Sequence, residues 1–270
     1  MTADATPGIA RVSITRQIAV AQRRARTWFR IQFVLVWVGI IGALVLALYA
    51  TGNIDPEWTQ TWAPFILEGA RTTVVLSVAS IVFAVVLAVL GAIGRLSGNA
   101  VVYSVASLYV SLVRGTPLLV QISFVYLALP QLGIVIPALE AGIIALSFNY
   151  GAYLTEIFRA GIQAVPRGQR EAAEALGMRE SLIMRRIVLP QAVRIVIPAI
   201  GNDFVAMIKD SALVSTIAVQ ELLWRAERAG RQSFNTLQAL LVAALVYWIL
   251  TIVFSFFQER LERRMARGDR

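Results

Sequence analysis

The most restrictive feature of this sequence is Leu237–Phe257, a run with no charged side chain. An α-helix rises 1.5 Å per residue, so about twenty apolar residues cross the roughly 30 Å hydrocarbon core of a bilayer. Buried stretches in water-soluble proteins are shorter, about 10–14 residues. The whole chain of 270 residues is 58% hydrophobic, against about 45–50% in ordinary soluble domains. That excess is gathered into long runs, which is the mark of a lipid solvent.

Six spans follow from these runs, and the expected fold class is an all-α integral membrane protein. The spans are Ile31–Ala50, about Thr72–Gly94, about Val101–Leu129, about Gly133–Glu156, about Ala192–Val214, and Leu237–Phe257. The third is interrupted by Arg114-Gly115-Thr116-Pro117. The fifth carries Asn202, Asp203, Lys209 and Asp210. Ile31–Ala50 is longer than a signal-peptide core and no A-x-A cleavage pattern follows it, so a retained helix is expected. Ile54–Pro64 holds Trp58 and Trp62 between prolines. It reads as an interfacial connector with the indole rings at headgroup level.

Charge sets the orientation. Net charge is +9, a balance that in a soluble chain points to nucleic acid. Here the arginines flank the apolar runs instead. Arg11, Arg16, Arg23, Arg24, Arg26 and Arg30 lie in the tail over residues 1–30. Arg159, Arg167, Arg170, Arg179, Arg185, Arg186 and Arg194 follow the fourth span. Arg260, Arg263, Arg264, Arg267 and Arg270 lie in the tail over residues 259–270. With six spans all of these fall on one side, which the positive-inside rule makes the cytoplasm, with both termini there. The loop Ser215–Thr236 is an exception, carrying Arg225, Arg228 and Arg231 with Glu221 and Glu227. A helix with both signs on its outer face accounts for it.

Several chemistries are excluded. There is no cysteine and no histidine, so Cys or His metal sites and His-containing triads are absent. No H-E-x-x-H or G-x-S-x-G occurs. The single lysine, Lys209, follows Ile208, which is incompatible with the phosphate-binding G-x-x-x-x-G-K-[ST] loop. ATP-driven work by this chain therefore requires the ATPase to be another polypeptide.

Val165–Pro190 is too polar to span lipid but is punctuated like a helical hairpin. Pro166 suits a first turn, and Glu171-Ala172-Ala173-Glu174-Ala175-Leu176 favours helix. Gly177 fits the left-handed position past a helix end, and Pro190 is expected to stop a second short helix. Ala172, Ala173, Ala175 and Leu176 form a small-residue surface. Such a surface seats in a groove on a partner, or lies amphipathically on the bilayer.

Glu171-Ala172-Ala173, then Gly177, then Ile187-x-Leu189-Pro190 resembles the EAA loop of ATP-binding-cassette importer permeases. Gly69-x-x-x-Thr73, Arg114-Gly115-Thr116-Pro117-Leu118-Leu119-Val120-Gln121, Asn149-Tyr150-Gly151-Ala152-Tyr153-Leu154-x-Glu156-x-x-Arg159 and Lys209-Asp210-Ser211 resemble the polar amino-acid branch of that family. The likeness implies a five-helix transmembrane domain over residues 66–258, with 31–50 as an added helix. Asp203 and Ala212 depart from the branch, which has Glu and a hydroxyl residue there.

The resemblance implies a permease subunit in the bacterial cytoplasmic membrane, importing a polar amino acid by alternating access. It implies three kinds of partner: a dimer of ATPase chains that hold ATP and Mg, a second permease chain, and an extracytoplasmic binding protein. Nucleic acid is not among them. Gln169, Glu171, Ala172, Ala173, Leu176, Gly177, Leu189 and Pro190 are the implied ATPase-coupling residues.

Charged groups within a span are functional candidates by default. Arg114, Thr116, Gln121, Asn149, Tyr153, Glu156, Asn202, Asp203, Lys209 and Asp210 are expected along the substrate path, with a structural polar seam between helices as the alternative. Arg114 pairing with Glu156 is a second alternative. A stand-alone carrier or channel is the rival function, although such carriers usually show internal repeats and none is visible.

Overall fold

The computed structural model describes residues 7–52 and 54–265, without the side chains of 7–21 and 23. The expectations for Arg11, Arg16, Arg23, Arg267 and Arg270 thus concern side chains outside the described ones.

Every described element is helical. The first unit holds one helix, α1 (Pro7–Ala50), whose Arg24–Ala50 part is long and apolar enough to cross a membrane, its charges gathered at Arg24, Arg26 and Arg30. Phe29, Phe33 and Trp37 stack along it one turn apart. The expected first span is therefore helical, and the helix extends back into the basic tail.

The second unit begins at Glu57. Its α2 runs unbroken over Pro56–Leu96, taking in Pro64. The expected interfacial connector is thus the first turns of a long helix. Pro56 opens it, where a missing N–H costs nothing. Trp58 is buried and its indole N–H donates to Ser233 Oγ at 2.6 Å, so this ring packs on protein.

Helix α3 (Ala100–Arg114) is capped by Asn99, which accepts from the N–H groups of Val101 and Val102. After the break come α4 (Leu118–Ser123), a π turn at Phe124–Ala128 and a 3₁₀ turn at Leu129–Leu132. The axis bends by 105° between Ala100–Arg114 and Leu118–Leu132.

Helix α5 (Ala138–Gln163) is the centre of the unit. Ala141, Gly142, Ala145, Gly151 and Ala152 are buried along it. Small residues let helices approach closely where lipid supplies no hydrophobic drive. Ser147 donates to the Ser80 carbonyl of α2 at 3.2 Å across one such contact.

Short α6 (Arg167–Ala175) and α7 (Glu180–Ile183) follow, then a π turn at Met184–Val188 and α8 (Leu189–Asp210). Pro190 does not stop the helix here. The Leu189 N–H bonds five residues back to Met184. This widened turn makes room for the proline ring, whose missing donor falls in the first turn of α8.

A 3₁₀ turn (Ser211–Ile217) leads to α9 (Leu222–Ser233) and then α10 (Thr236–Met265). α9 is amphipathic, as its mixed charges require. Glu221 is fully buried and accepts from the N–H groups of Leu223 and Trp224, the O–H of Tyr247 and the O–H of Thr73. Burial pushes its carboxyl above the ordinary Glu range while these bonds pull it down, so the hydrogen bonds carry its contribution. Glu221→Ala is expected to cost roughly 1–3 kcal/mol for each donor left without an acceptor. The melting temperature of purified protein should fall by several degrees; an unchanged value would count against this role.

Among the described residues, three helices are long and apolar enough to cross a membrane: Arg24–Ala50, Pro56–Leu96 and Thr236–Met265. The bent pair makes a fourth crossing if taken as one span. α5 and α8, the expected fourth and fifth spans, do not join this set. Polar side chains run along both and lower their mean hydropathy, some of them buried, such as Ser147, Asn149 and Thr155, and others exposed, such as Arg194 and Lys209.

Candidate functional site

Three neighbouring segments line a half-open cavity of about 530 Å³: the break after α3, the middle of α5 and the second half of α8. The break follows from local chemistry. A residue before proline is driven out of the helical region, so Thr116 cannot continue α3. Pro117 is extended at ψ 140 and opens α4. The Thr116 hydroxyl folds back to the Leu112 carbonyl at 3.0 Å. Gln121 then reaches back across the break, its amide donating to the Val113 carbonyl at 2.8 Å and to Thr116 Oγ1 at 2.9 Å. Carbonyls that the break leaves unpaired are thereby satisfied, as buried backbone groups must be.

Arg114 projects at the mouth of this break. Its guanidinium lies over the Tyr153 ring, 5.1 Å from the centroid. From α5, Asn149, Tyr150 and Tyr153 line the wall; from α8, Asp203, Ala206 and Asp210 do. The Tyr150 hydroxyl donates to Asp210 at 2.7 Å. Asp203 Oδ2 is shielded from solvent and has no hydrogen-bond partner. The cavity thus offers a guanidinium, two carboxylates, an amide and two phenols along one lining. That set can receive a small zwitterion.

At the end of the unit where α5 finishes and α8 starts lies the helix–glycine–helix loop. α6 ends in a paired turn, with Met178 N–H bonding to the Ala173 carbonyl at 3.1 Å and Gly177 N–H to that of Glu174 at 2.9 Å. Gly177 sits at φ 75, the left-handed conformation this closure needs. Ala173 is buried against Ile183 and Val188, with Ile162 and Val165 of the α5 end packed on the same cluster. The expected small-residue surface is corrected on this point. Ala173 faces inward because α6 must be fastened to something, and Ala172, Ala175 and Leu176 are left exposed, Leu176 at 82%. Gln169 accepts from Gln191 Nε2, tying α6 to α8. Glu171, Gly177, Leu189 and Pro190 are exposed.

Residues 80–267 match the family described as binding-protein-dependent transport system inner membrane component. The chain belongs to this family. It is similar to the arginine transport system permease protein ArtQ of Bacillus subtilis, at 38% identity over 80% of this chain and all of that one. It is similar also to the L-cystine transport system permease protein TcyB of the same organism, at 37% identity over 77% of this chain and 89% of that one. Among solved structures, a chain of an amino acid ABC transporter crystallised with histidines aligns at TM-score 0.76. It is 37% identical, over 78% of this chain and 99% of that one. A chain of the MetNI methionine ABC transporter aligns at TM-score 0.62 and 19% identity, a likeness of fold alone.

In this inner membrane component the expected path residues divide. Arg114, Thr116, Asn149, Tyr153, Asp203 and Asp210 line the cavity. Gln121 stands one layer behind, accepting from Asn149 Nδ2 at 3.2 Å. Glu156, Asn202 and Lys209 are elsewhere. Glu156 pairs with Arg95 at 3.1 Å and Arg159 at 2.7 Å, so the alternative pairing with Arg114 is not formed. Asn202 accepts from Gln258 on α10 at 2.6 Å, and Lys209 is exposed off the cavity. Tyr150 was missed as a site residue, although its spacing of three from Tyr153 was a visible signal. So was the Asp203–Asp210 spacing of seven, two turns on one face of α8.

Proposed function

We propose that this chain is the permease subunit of an ATP-driven importer that carries a polar amino acid across the cytoplasmic membrane. Family membership and the likeness to amino-acid permeases along nearly their whole length support this. One structural observation carries the coupling. α6 is fastened by Ala173 and Gln169 to the α5 end and to the segment that opens α8, and α5 and α8 supply two walls of the cavity. A push on the exposed Ala172–Gly177 surface is therefore passed on to both walls through the ends of α5 and α8.

In this reading Gln169, Glu171, Ala172, Leu176 and Gly177 meet a separate ATPase dimer that holds ATP and Mg. A second permease chain completes the pathway, and a binding protein delivers the amino acid at the α9 end. In this reading the chain crosses the membrane six times, with both termini and α6 in the cytoplasm, which the arginines flanking the apolar runs support. The cavity opens alternately to the two sides as α5 and α8 rock.

The test is reconstitution. The chain, co-expressed with an ABC ATPase and an amino-acid-binding protein from the same organism, should co-purify with the ATPase. In liposomes it should take up amino acid only with ATP present. Uptake without ATP and without the ATPase would instead establish a stand-alone carrier. Arg114→Ala removes the cavity's only cation and is expected to cut uptake about tenfold or more, as for a lost charge-assisted contact. Retained uptake in that variant would remove Arg114 from the path.

A further inference from the structure

A second recess lies apart from the cavity, where α2 ends, beside the turn that joins α5 to α6 and against α7. It is partly open, with a volume of about 560 Å³, within the range of about 300–1,000 Å³ usual for sites that take a small molecule. Its lining is divided by chemistry. Leu96, Ile162 and Val165 supply an apolar side, and Arg167, Arg170 and Glu180 a charged one.

The charges do not balance. Arg170 reaches Glu180 at 3.5 Å, in a pair that stands well exposed to water. Such a pair holds its partners weakly. Arg167, among the described residues, forms no ion pair. The lining thus carries one uncompensated guanidinium and a second that is easily recruited. Planar guanidinium forks match the oxygens of a phosphate.

The apolar side belongs to a longer feature. Val86, Leu90, Ile93 and Leu96 recur along α2 at intervals of four, three and three, and all are exposed. That spacing places them on one face of the helix. α2 is long and apolar enough to cross a membrane, so this stripe faces hydrocarbon. It stops at Leu96, in the lining of the recess, and the polar turn Ser97-Gly98-Asn99 follows. The recess therefore sits at the level where α2 leaves the bilayer. A free phosphate would meet the arginines and leave Leu96, Ile162 and Val165 wet. A phospholipid answers both sides, and basic pockets beside membrane-spanning helices hold anionic headgroups in this way.

We infer that this recess binds an anionic phospholipid, its phosphate on Arg167 and Arg170 and an acyl chain along the Val86–Leu96 stripe of α2. α6 starts at Arg167, so the bound lipid also ties the start of α6 to the membrane surface. The inference needs the membrane-spanning helices and not the amino-acid reading.

The experiment is native mass spectrometry of the full chain, delipidated in detergent and titrated with phosphatidylglycerol or phosphatidylcholine. The second lipid carries the same phosphate with a cationic choline beside it. Wild type is expected to hold one phosphatidylglycerol about tenfold more tightly than phosphatidylcholine, the scale of one charge-assisted contact. Arg167→Gln with Arg170→Gln should bring the two lipids to near parity. Arg26→Gln with Arg30→Gln, an equal loss of charge at exposed sites on α1, should keep the preference. Glu180→Gln frees Arg170 and should tighten phosphatidylglycerol about two- to fivefold. Size-exclusion profiles check that each variant folds; if the Arg167/Arg170 pair does not, Arg167→Gln alone and Glu180→Gln carry the test. Equal binding of the two lipids by wild type overturns the inference, as does a preference that survives in the folded Arg167/Arg170 variant. A preference lost equally in the Arg26/Arg30 variant shows diffuse attraction and overturns it as well. Displacement by millimolar inorganic phosphate would mark a site for a free anion instead, and no retained lipid would mean that protein covers this face; either result overturns it.

Discussion

Gly69→Val should yield no folded, monodisperse protein. A Cβ at Gly69 would stand 2.7 Å from Leu222 Cα, 2.8 Å from Leu222 N and 2.9 Å from Glu221 C. All three are backbone atoms at the start of α9, and none is free to yield. Glu221 caps that helix and is bonded to Thr73 and Tyr247, and the Thr73 hydroxyl also accepts from the Leu222 N–H at 3.3 Å. Gly69 and Thr73 are one turn apart on α2. The first allows the close approach and the second bonds across it. Forcing the helices apart costs about 1–3 kcal/mol in overpacking and breaks the network around a buried carboxylate as well. Gly69→Ala should be intermediate. Gly98→Ala, where a Cβ meets nothing within 4 Å, is the control. Size-exclusion profiles and melting temperatures of the detergent-purified protein decide the matter. A Gly69→Val melting temperature within about 2 °C of wild type would show that the approach is looser than described.

Gly177→Val should leave insertion and stability intact and abolish most ATP-coupled uptake. No atom lies within 4 Å of a Cβ at Gly177, so packing is not the obstacle. The obstacle is φ 75, which for a β-branched residue costs on the order of 1–3 kcal/mol. The chain can escape that strain by opening the turn that closes α6, and the exposed Ala172–Leu176 surface then loses its fixed pose. About 1.4 kcal/mol is a factor of ten in an equilibrium, so uptake should fall tenfold or more while ATPase activity is no longer stimulated by transport. Gly177→Asn, which tolerates the left-handed conformation, should retain most uptake. Normal coupled uptake by the valine variant would refute a docking role for α6.

Much of the candidate site was legible where one residue acts on its own backbone. Pro117 announced the break after Arg114, and Gly177 the turn after α6. Legibility failed where a side chain had a choice of neighbours. Asn149, Tyr153 and Glu156 share a face of α5, yet only the first two reach the cavity. One turn further on, Arg95 of α2 and Arg159 claim Glu156. Asn202 is taken by Gln258 in the same way. Pro190 misled for a different reason, since a π turn absorbs it, and such a turn has no sequence mark. Ala173 is indistinguishable in the sequence from its exposed neighbours, because alanine suits either environment.

By itself the sequence determined the lipid-embedded helices, the break at Arg114–Pro117, the helix–Gly177–helix loop and the lack of a G-x-x-x-x-G-K-[ST] phosphate loop in this chain. Each rests on a local property: transfer of apolar side chains into lipid, the fixed φ of proline, the permitted φ of glycine, or the absence of a phosphate loop. Tertiary structure alone decided that Asp203 and Asp210 face Arg114 across one cavity, that Glu156 does not, and that Glu221 locks α9 to α2 and α10. Electrostatic and hydrogen-bond partners lie within a few ångströms in space but up to 179 residues apart in the chain, and no local preference encodes which of them meet.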